Sequence, residues 1–368
     1  MSKSKPRIIL FDGNAVVHRA YHALPPLTTK KGELVNAVYG FSSILLKVLK
    51  ELNPDYVAVA FDSPEPTFRH KEFLEYKAKR KATPEDLSPQ FLQVKEVLSA
   101  LNIPIFEVAG YEADDLVGTL ANKVPSNLES IIVTGDLDEL QLVDNHTKVY
   151  TMRRGFTDTI LYDEKMIKDR FNLTPEQFVD YKALKGDPSD NIPGVPGIGE
   201  KTAAELISKF GSLEYLYKNL DRVGGKTKEV LEKNKDQAFI SKKLVKIVTE
   251  VPIKFNLSAC KTHDFDRQKV FELFRKLEFK SLLNKLPRTK KEEVKIPKKR
   301  PHIKTAGYKL IDNKRDFKNL LANLKKQEFL AVDTETDGWD IVENKLVGIS
   351  FSFKEKEAYY IPVGHTIA

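Results

Sequence analysis

Nine carboxylates in this chain stand where phosphate chemistry with hard cations needs them. Three apolar runs each end in aspartate: IILF into Asp12, YVAVAF into Asp62, and IIVTG into Asp136 with Asp138. A fourth run, IPIFEVAGY, leads to Glu112, Asp114 and Asp115, and the later turn GDPSDN adds Asp187 and Asp190. Taken singly, each is an ordinary strand-end, turn or helix-start residue. Together and in this order they point to an oxygen-rich site. Mg²⁺ binds through carboxylates, water and phosphate. Two such ions about 3.5–4 Å apart stabilise both the attacking and the leaving oxygen of a phosphodiester displacement. So many like charges in one place repel strongly without cations.

The elements that must position these groups alternate. Strand patterns at 7–11, 56–61, 103–108 and 130–134 are interleaved with helical apolar spacing at 36–50 and 112–123. The expected fold class is therefore α/β, a central mostly parallel sheet flanked by helices. Sites in such sheets lie beyond the carboxyl ends of the strands, the edge that Asp12, Asp62 and Asp136 occupy. Glu112 and Asp115 fall in the first turn of a helix, where backbone N–H groups favour anions. Their i, i+3 spacing puts them on roughly one face. Downstream, 175–185, 200–210, 225–234, 236–247 and 266–285 read as helices, with turns at Gly186, Gly194–Gly199 and Gly224–Gly225. Strand and helix patterns restart at 307–368 (YKLI, a helix near 314–326, FLAVDTE, LVGISFSF, AYYIPV).

Composition narrows the class. With 41% apolar and 30% charged residues, the chain reads as a soluble globular protein. Its net charge is +8, and residues 288–304 alone carry eight Lys/Arg against two Glu. That segment holds a net +6 of the +8, so the rest of the chain is nearly balanced and any nucleic-acid surface must come from segregated charge. Cys260 is the single cysteine, which excludes an intramolecular disulfide and a cysteine-based zinc site. The apolar run at the N-terminus has only four residues, too short for a signal sequence or a membrane span. A reducing, cytoplasmic location is expected.

Three further segments bear on phosphate. In GVPGIGEKTAAELI, two short helices joined by a Gly-rich hairpin expose backbone N–H groups around Gly197 and Gly199 that can clasp a phosphate. Lys201 and Thr202 add side-chain contacts, and hairpin carbonyls suit a monovalent cation such as K⁺. Residues 66–82, PTFRHKEFLEYKAKRKA, carry six Lys/Arg, two Glu and three aromatics. On a helix, Phe73, Tyr76, Lys77 and Arg80 would share one face, suited to stacking a base and neutralising its phosphate. The bland alternative is a solvated basic helix with its aromatics in the core. His18 and His22 have zinc-ligand spacing without a third soft ligand, and Arg19 between them is the better phosphate contact.

FDGNAVVHRAYHAL, AFDSPEPTFRHKEFLEYKAKR, GYEADDLVGTLA, IVTGDLDELQL and LKGDPSDNIPGVPGIGEKTA resemble successive motifs of the bacterial 5′-nuclease family. The likeness is to the 5′→3′ exonuclease domain of bacterial DNA polymerase I and covers roughly residues 7–285. It implies a PIN-like core over 1–174 with a helical arch near 66–93, and a helix–hairpin–helix subdomain over 175–287. The family's metal-binding and catalytic carboxylates fall on Asp12, Asp62, Glu112, Asp114, Asp115, Asp136, Asp138, Asp187 and Asp190. It implies two Mg²⁺ ions, replaceable by Mn²⁺, with the group through Asp115 leaning to one ion and the later group to the other. Arg19, Arg69, Tyr76, Lys77 and Arg80 are then expected to meet DNA, with Tyr76 stacking and Lys77 and Arg80 on the scissile phosphate. The implied substrates are 5′ flaps, nicks and RNA–DNA primer junctions, bound by a monomer that touches no membrane.

Residues 288–306 are expected to be a basic linker. Residues 307–368 resemble the opening of a ribonuclease-H-like 3′→5′ exonuclease, in which Asp333 and Glu335 are the first two metal carboxylates. Two carboxylates do not complete that family's site, so no proofreading and no polymerase activity are expected from these residues.

Overall fold

The computed structural model describes residues 5–80, 82–154, 158–262, 264–287, 307–336 and 345–363. The chain divides into two compact units, Met1–Val294 and Lys295–Ala368. The expected linker 288–306 lies outside the described residues.

The first unit is built on a six-stranded sheet of β1 (Arg7–Asp12), β2 (Tyr56–Ala60), β3 (Ile105–Phe106), β4 (Glu129–Thr134), β5 (Thr147–Arg154) and β6 (Asp158–Tyr162), in the order β3-β2-β1-β4-β5-β6. All neighbouring pairs are parallel except β5 with β6. Both faces are covered. Along β1, Ile8 and Leu10 enter one apolar cluster while Ile9 and Phe11 enter the other, the period-2 alternation of a strand buried on both sides.

Helices α1 (Gly13–Ala23), α2 (Asn36–Leu52), α3 (Phe68–Glu72), α4 (Ser88–Ala100) and α5 (Ala113–Lys123) accompany the first strands, and α6 (Glu164–Phe171) follows the last. The helical subdomain comprises α7 (Pro175–Lys185), α8 (Glu200–Phe210), α9 (Leu213–Lys218), α10 (Gly225–Lys233) and α11 (Lys235–Val245). Then α12 (Arg267–Lys276) and α13 (Lys280–Leu283) return to the sheet, where Val270, Phe274 and Leu282 join the cluster containing Ile9 and Phe11. The single helix expected over 266–285 breaks at Glu278, which adopts φ 61°. The pair β5 and β6 was not anticipated, because Thr147–Arg154 mixes charged and apolar residues and pairing with β4 decides its state.

The expected helix over 73–80 does not form. It stops at α3, and Leu74–Lys79 are turns with Lys77 at φ 57°. The segment is fastened elsewhere: the Lys77 N–H donates to the Asp190 carbonyl at 2.8 Å, and the Asn191 amide donates to the Glu75 carbonyl at 2.7 Å. Tertiary hydrogen bonds have replaced helical ones, so Phe73, Tyr76, Lys77 and Arg80 do not line one helix face.

The second unit has a four-stranded sheet ordered β7 (Tyr308–Leu310), β10 (Glu357–Pro362), β9 (Leu346–Lys354), β8 (Ala331–Thr336), with α14 (Lys314–Leu324) beside it. Asp333 and Glu335 are two apart on β8 and so share a face. Among the described residues no helix is long and apolar enough to cross a membrane.

Candidate active site

The carboxyl edge of the sheet gathers the acids. Asp12 closes β1 and caps α1, its Oδ1 accepting from the Ala15 N–H at 2.9 Å. This tight strand-to-helix turn depends on Gly13: a Cβ there would lie 2.5 Å from the Phe61 ring and 2.7 Å from the Ala60 carbonyl. Asp62, just past β2, accepts from the Asn14 amide at 2.9 Å and from the Ala113 N–H at 2.7 Å, which ties β2 to the start of α5. Beyond β4, the Asp136 N–H donates to Thr134 Oγ1 and Asp136 Oδ1 accepts from the Asp138 N–H. A 3₁₀ turn, Asp138–Leu142, follows.

Three subsets emerge, defined by what neutralises them. In the first, Glu112, Asp115 and Asp190 are met by cations of this chain. Arg69 Nη1 and Nη2 donate to the two Asp115 oxygens at 2.7 and 2.8 Å, and its Nε donates to the Leu244 carbonyl at 2.9 Å. Lys77 Nζ donates to Glu112 at 2.8 Å, and Tyr76 Oη donates to Glu112 and Asp190 at 3.0 and 3.2 Å. Arg80 pairs with Asp190. Arg69 and Tyr76 are 2% and 3% exposed, so these two of the groups expected to meet DNA are turned inward, against carboxylates. Asp190, from the later part of the chain, shares Tyr76 and Lys77 with Glu112.

In the second subset, Lys182 on α7 bridges Asp138 at 2.7 Å and Asp187 at 2.5 Å. Burial works against the charged form of Asp187, but the Lys182 ammonium and the Ser189 donors outweigh it and hold the carboxyl down at about 2. Burial, reinforced by Asp136, pushes Asp138 up to about 7 in spite of Lys182.

The third subset is Asp12, Asp114 and Glu139, whose ligand oxygens lie within 4.8 Å of one another. Burial first and repulsion from Asp62 second raise Asp12 to about 7. Asp114 is raised well above the carboxylate range by burial and then by Asp12. Lys77 eases Asp114 at a distance, but its ammonium is hydrogen-bonded to Glu112. The donor set is all oxygen and anionic, which suits a hard divalent cation. His18 and His22 are outside it; their rings stack on each other at 6.5 Å.

Sequence reasoning missed Glu139 and Lys182. Glu139 directly follows Asp138, so its carboxylate was available as a signal. Lys182 is five residues before Asp187, and nothing short of the fold places it between two acids. Arg19 lies on α1, where its Nη2 donates to the Met152 carbonyl at 3.2 Å. The hairpin between α7 and α8 is held by close backbone contact: a Cβ on Gly194 would lie 2.4 Å from the Gly186 nitrogen. Gly197 (φ 86°) and Gly199 instead face open space, leaving backbone exposed at the start of α8 where Lys201 and Thr202 follow.

Two family models cover this unit. One described as "5'-3' exonuclease, N-terminal resolvase-like domain" matches residues 7–172, and "5'-3' exonuclease, C-terminal SAM fold" matches 173–268. The chain belongs to the 5′-3′ exonuclease family. Residues 308–368 match a third family model, "3'-5' exonuclease". Similar curated proteins include DNA polymerase I of Caldicellulosiruptor bescii, 39% identical over 93% of this chain and 41% of that protein. DNA polymerase I of Bacillus subtilis is 45% identical over 77% of this chain and 32% of that protein. The chain thus spans a third to two fifths of the length of these relatives. The exonuclease fold is shared with a bacteriophage T5 D15 flap endonuclease in complex with DNA and metal ions, at TM-score 0.53 and 23% identity over 66% of this chain and 90% of that one. The catalytic core of Rad2 in complex with DNA substrate matches at TM-score 0.53 and 17% identity, over 77% of this chain and 93% of that one.

Proposed function

We propose that the first unit is a divalent-metal-dependent nuclease that hydrolyses phosphodiesters near the 5′ ends of branched or nicked DNA, including 5′ flaps and RNA–DNA primer junctions. The observation that carries this reading is the Asp12–Asp114–Glu139 cluster at the carboxyl edge of the sheet of a 5′-3′ exonuclease family member, with Asp12 and Glu139 buried and Asp114 partly so. Mg²⁺, or Mn²⁺ in its place, bound among these and the neighbouring carboxylates would stabilise negative charge developing on the phosphate oxygens.

The chain's own residues do the positioning. Lys77 and Arg80 rest on Glu112 and Asp190, and a substrate phosphate offers them an equivalent anion. On exchange, the two cations move onto the phosphate and help stabilise its developing charge, while Glu112 and Asp190 are released toward the metal centre. The same movement frees the Tyr76 ring to stack on a base. Arg69 stays on Asp115 and keeps the N-terminus of α5 in register, a positioning role in place of the DNA contact expected of it. At the other end, exposed backbone at Gly197 and Gly199 with Lys201 and Thr202 grips the duplex phosphates, and the hairpin carbonyls suit K⁺. No activity is assigned to Asp333 and Glu335.

The test is cleavage of a 5′-flap duplex in Mg²⁺ by the wild-type chain and by Asp114→Asn, with DNA and RNA versions of the 5′ strand. Loss of cleavage in the variant is expected. An unchanged rate would sink the assignment, and cleavage confined to RNA would move the substrate class.

A further inference from the structure

We propose that Glu139, outside the nine carboxylates of the family motifs, supplies an oxygen ligand to the divalent cation held by Asp12 and Asp114. The proposal rests on the metal-dependent reading above. It is carried by a second observation, independent of the clustering of acids. Glu139 is 0% exposed, and neither of its carboxylate oxygens has a hydrogen-bond partner among the described residues. The Thr134 hydroxyl is near enough to influence its charge, but it does not meet Glu139 in hydrogen-bond geometry.

A buried carboxylate with nothing to accept is costly, about 1–3 kcal/mol for a neutral group and more for a charge. A side chain in that state is expected to relax toward a donor unless its backbone prevents it. The backbone here does prevent it. The Gln141 amide donates to the Asp138 and Val245 carbonyls at 3.0 Å each and its oxygen accepts from the Ile247 N–H at 2.9 Å, while Leu140 is locked into the core. The 3₁₀ turn is thereby fixed around Glu139, and its scaffold aims the carboxylate at Asp12 and Asp114, with the Asp12 carboxyl near enough to share a proton. The chain's cations nearby are committed: Lys182 bridges Asp138 and Asp187, and Lys77 is on Glu112. None of these cations meets Glu139, and an all-carboxylate donor set selects a hard divalent ion when one is supplied.

The experiment is titration of the full chain, stripped of metal, with Mn²⁺ followed by electron paramagnetic resonance. Wild type, Glu139→Gln, Glu139→Leu and Asp12→Asn are compared, with thermal melts of each in EDTA. The expected result is that Glu139→Gln weakens the tightest Mn²⁺ site by about 10-fold or more, the scale of loss when a group supporting a metal site is removed. In EDTA both Glu139 variants should melt at or above the wild-type temperature, because a buried carboxyl without a donor has gone. Mn²⁺ affinity unchanged in Glu139→Gln but weakened in Asp12→Asn overturns the Glu139 assignment and leaves the metal reading intact. Failure of the wild type to bind Mn²⁺ at all overturns both. Melting of both Glu139 variants below wild type in EDTA also overturns it, since a structural role would then explain the residue.

Discussion

Glu112, Asp115 and Asp190 are as deeply set in the acidic centre as Asp12, Asp114 and Glu139, yet the two groups meet opposite fates. The first is neutralised from within, by Arg69, Tyr76, Lys77 and Arg80. The second holds its repulsion, and Asp12 and Asp114 are pushed toward protonation as a result. Burial is common to both, so burial alone does not decide the state of a carboxylate; the presence of a matched cation does. One group of acids is satisfied by the chain's own basic segment and the other is not, and the unsatisfied group is the one proposed to hold an external ion. Lys77 and Arg80, proposed to bind the substrate phosphate, rest on the anions Glu112 and Asp190.

The comparison breaks first at its catalytic end. Asp12→Asn should reduce flap cleavage by about 10²–10³-fold, the loss typical when one charge-organising group leaves a preorganised site. A smaller loss than for Asp115→Asn, measured in the same steady-state assay, would reverse the roles given to the two groups. Next is the self-neutralised half. Arg69→Met leaves Asp115 buried without its cation and should cost about 3–5 kcal/mol in urea unfolding.

The pH dependence separates the groups further. Asp12 and Asp138 have folded values near 7, above the ordinary 3.8, so the native state binds more protons than the unfolded one between these limits. Metal-free protein should therefore lose stability as pH rises from about 4 to about 7. Saturating Mn²⁺ should flatten that slope if Asp12 faces the ion. Asp187 acts in the opposite sense: its stabilisation is full above the ordinary 3.8 and is lost as pH falls toward about 2. Melting temperature against pH, with and without metal, checks both signs. The smallest effect is at the surface. Arg80 is half exposed in its pair with Asp190, so Arg80→Ala should cost about 0–1 kcal/mol of stability. Its visible consequence should be faster amide exchange at Lys77, whose N–H is bonded to the Asp190 carbonyl.

Much of this arrangement was legible in the residue order. Strand ends are marked by apolar runs that stop at an acid, and the alternation of strand and helix dictates a parallel sheet with those ends on one edge. Asp12, Asp62 and Asp136 needed nothing more to be placed there. The hairpin glycines were equally readable, because positive φ at Gly194 and Gly197 is a local requirement. The basic segment was not. Its spacing satisfies a helix, but helical spacing is a weak preference beside buried ion pairs and hydrogen bonds to distant carbonyls, and these fold 73–80 into turns. Glu139 escaped for a related reason: one residue after Asp138 it reads as a solvated neighbour, and only the 3₁₀ turn rotates it inward.

The sequence by itself determined the sheet, the edge on which its acids gather and the family to which the chain belongs, because these follow from short-range patterns of polarity, glycine and carboxylate. The tertiary structure decided which acids are neutralised and by what. That depends on contacts between residues far apart in the chain, such as Arg69 with Asp115 and Lys182 with Asp138, and Coulomb energy in a desolvated site is set by distance in space, not by separation in sequence.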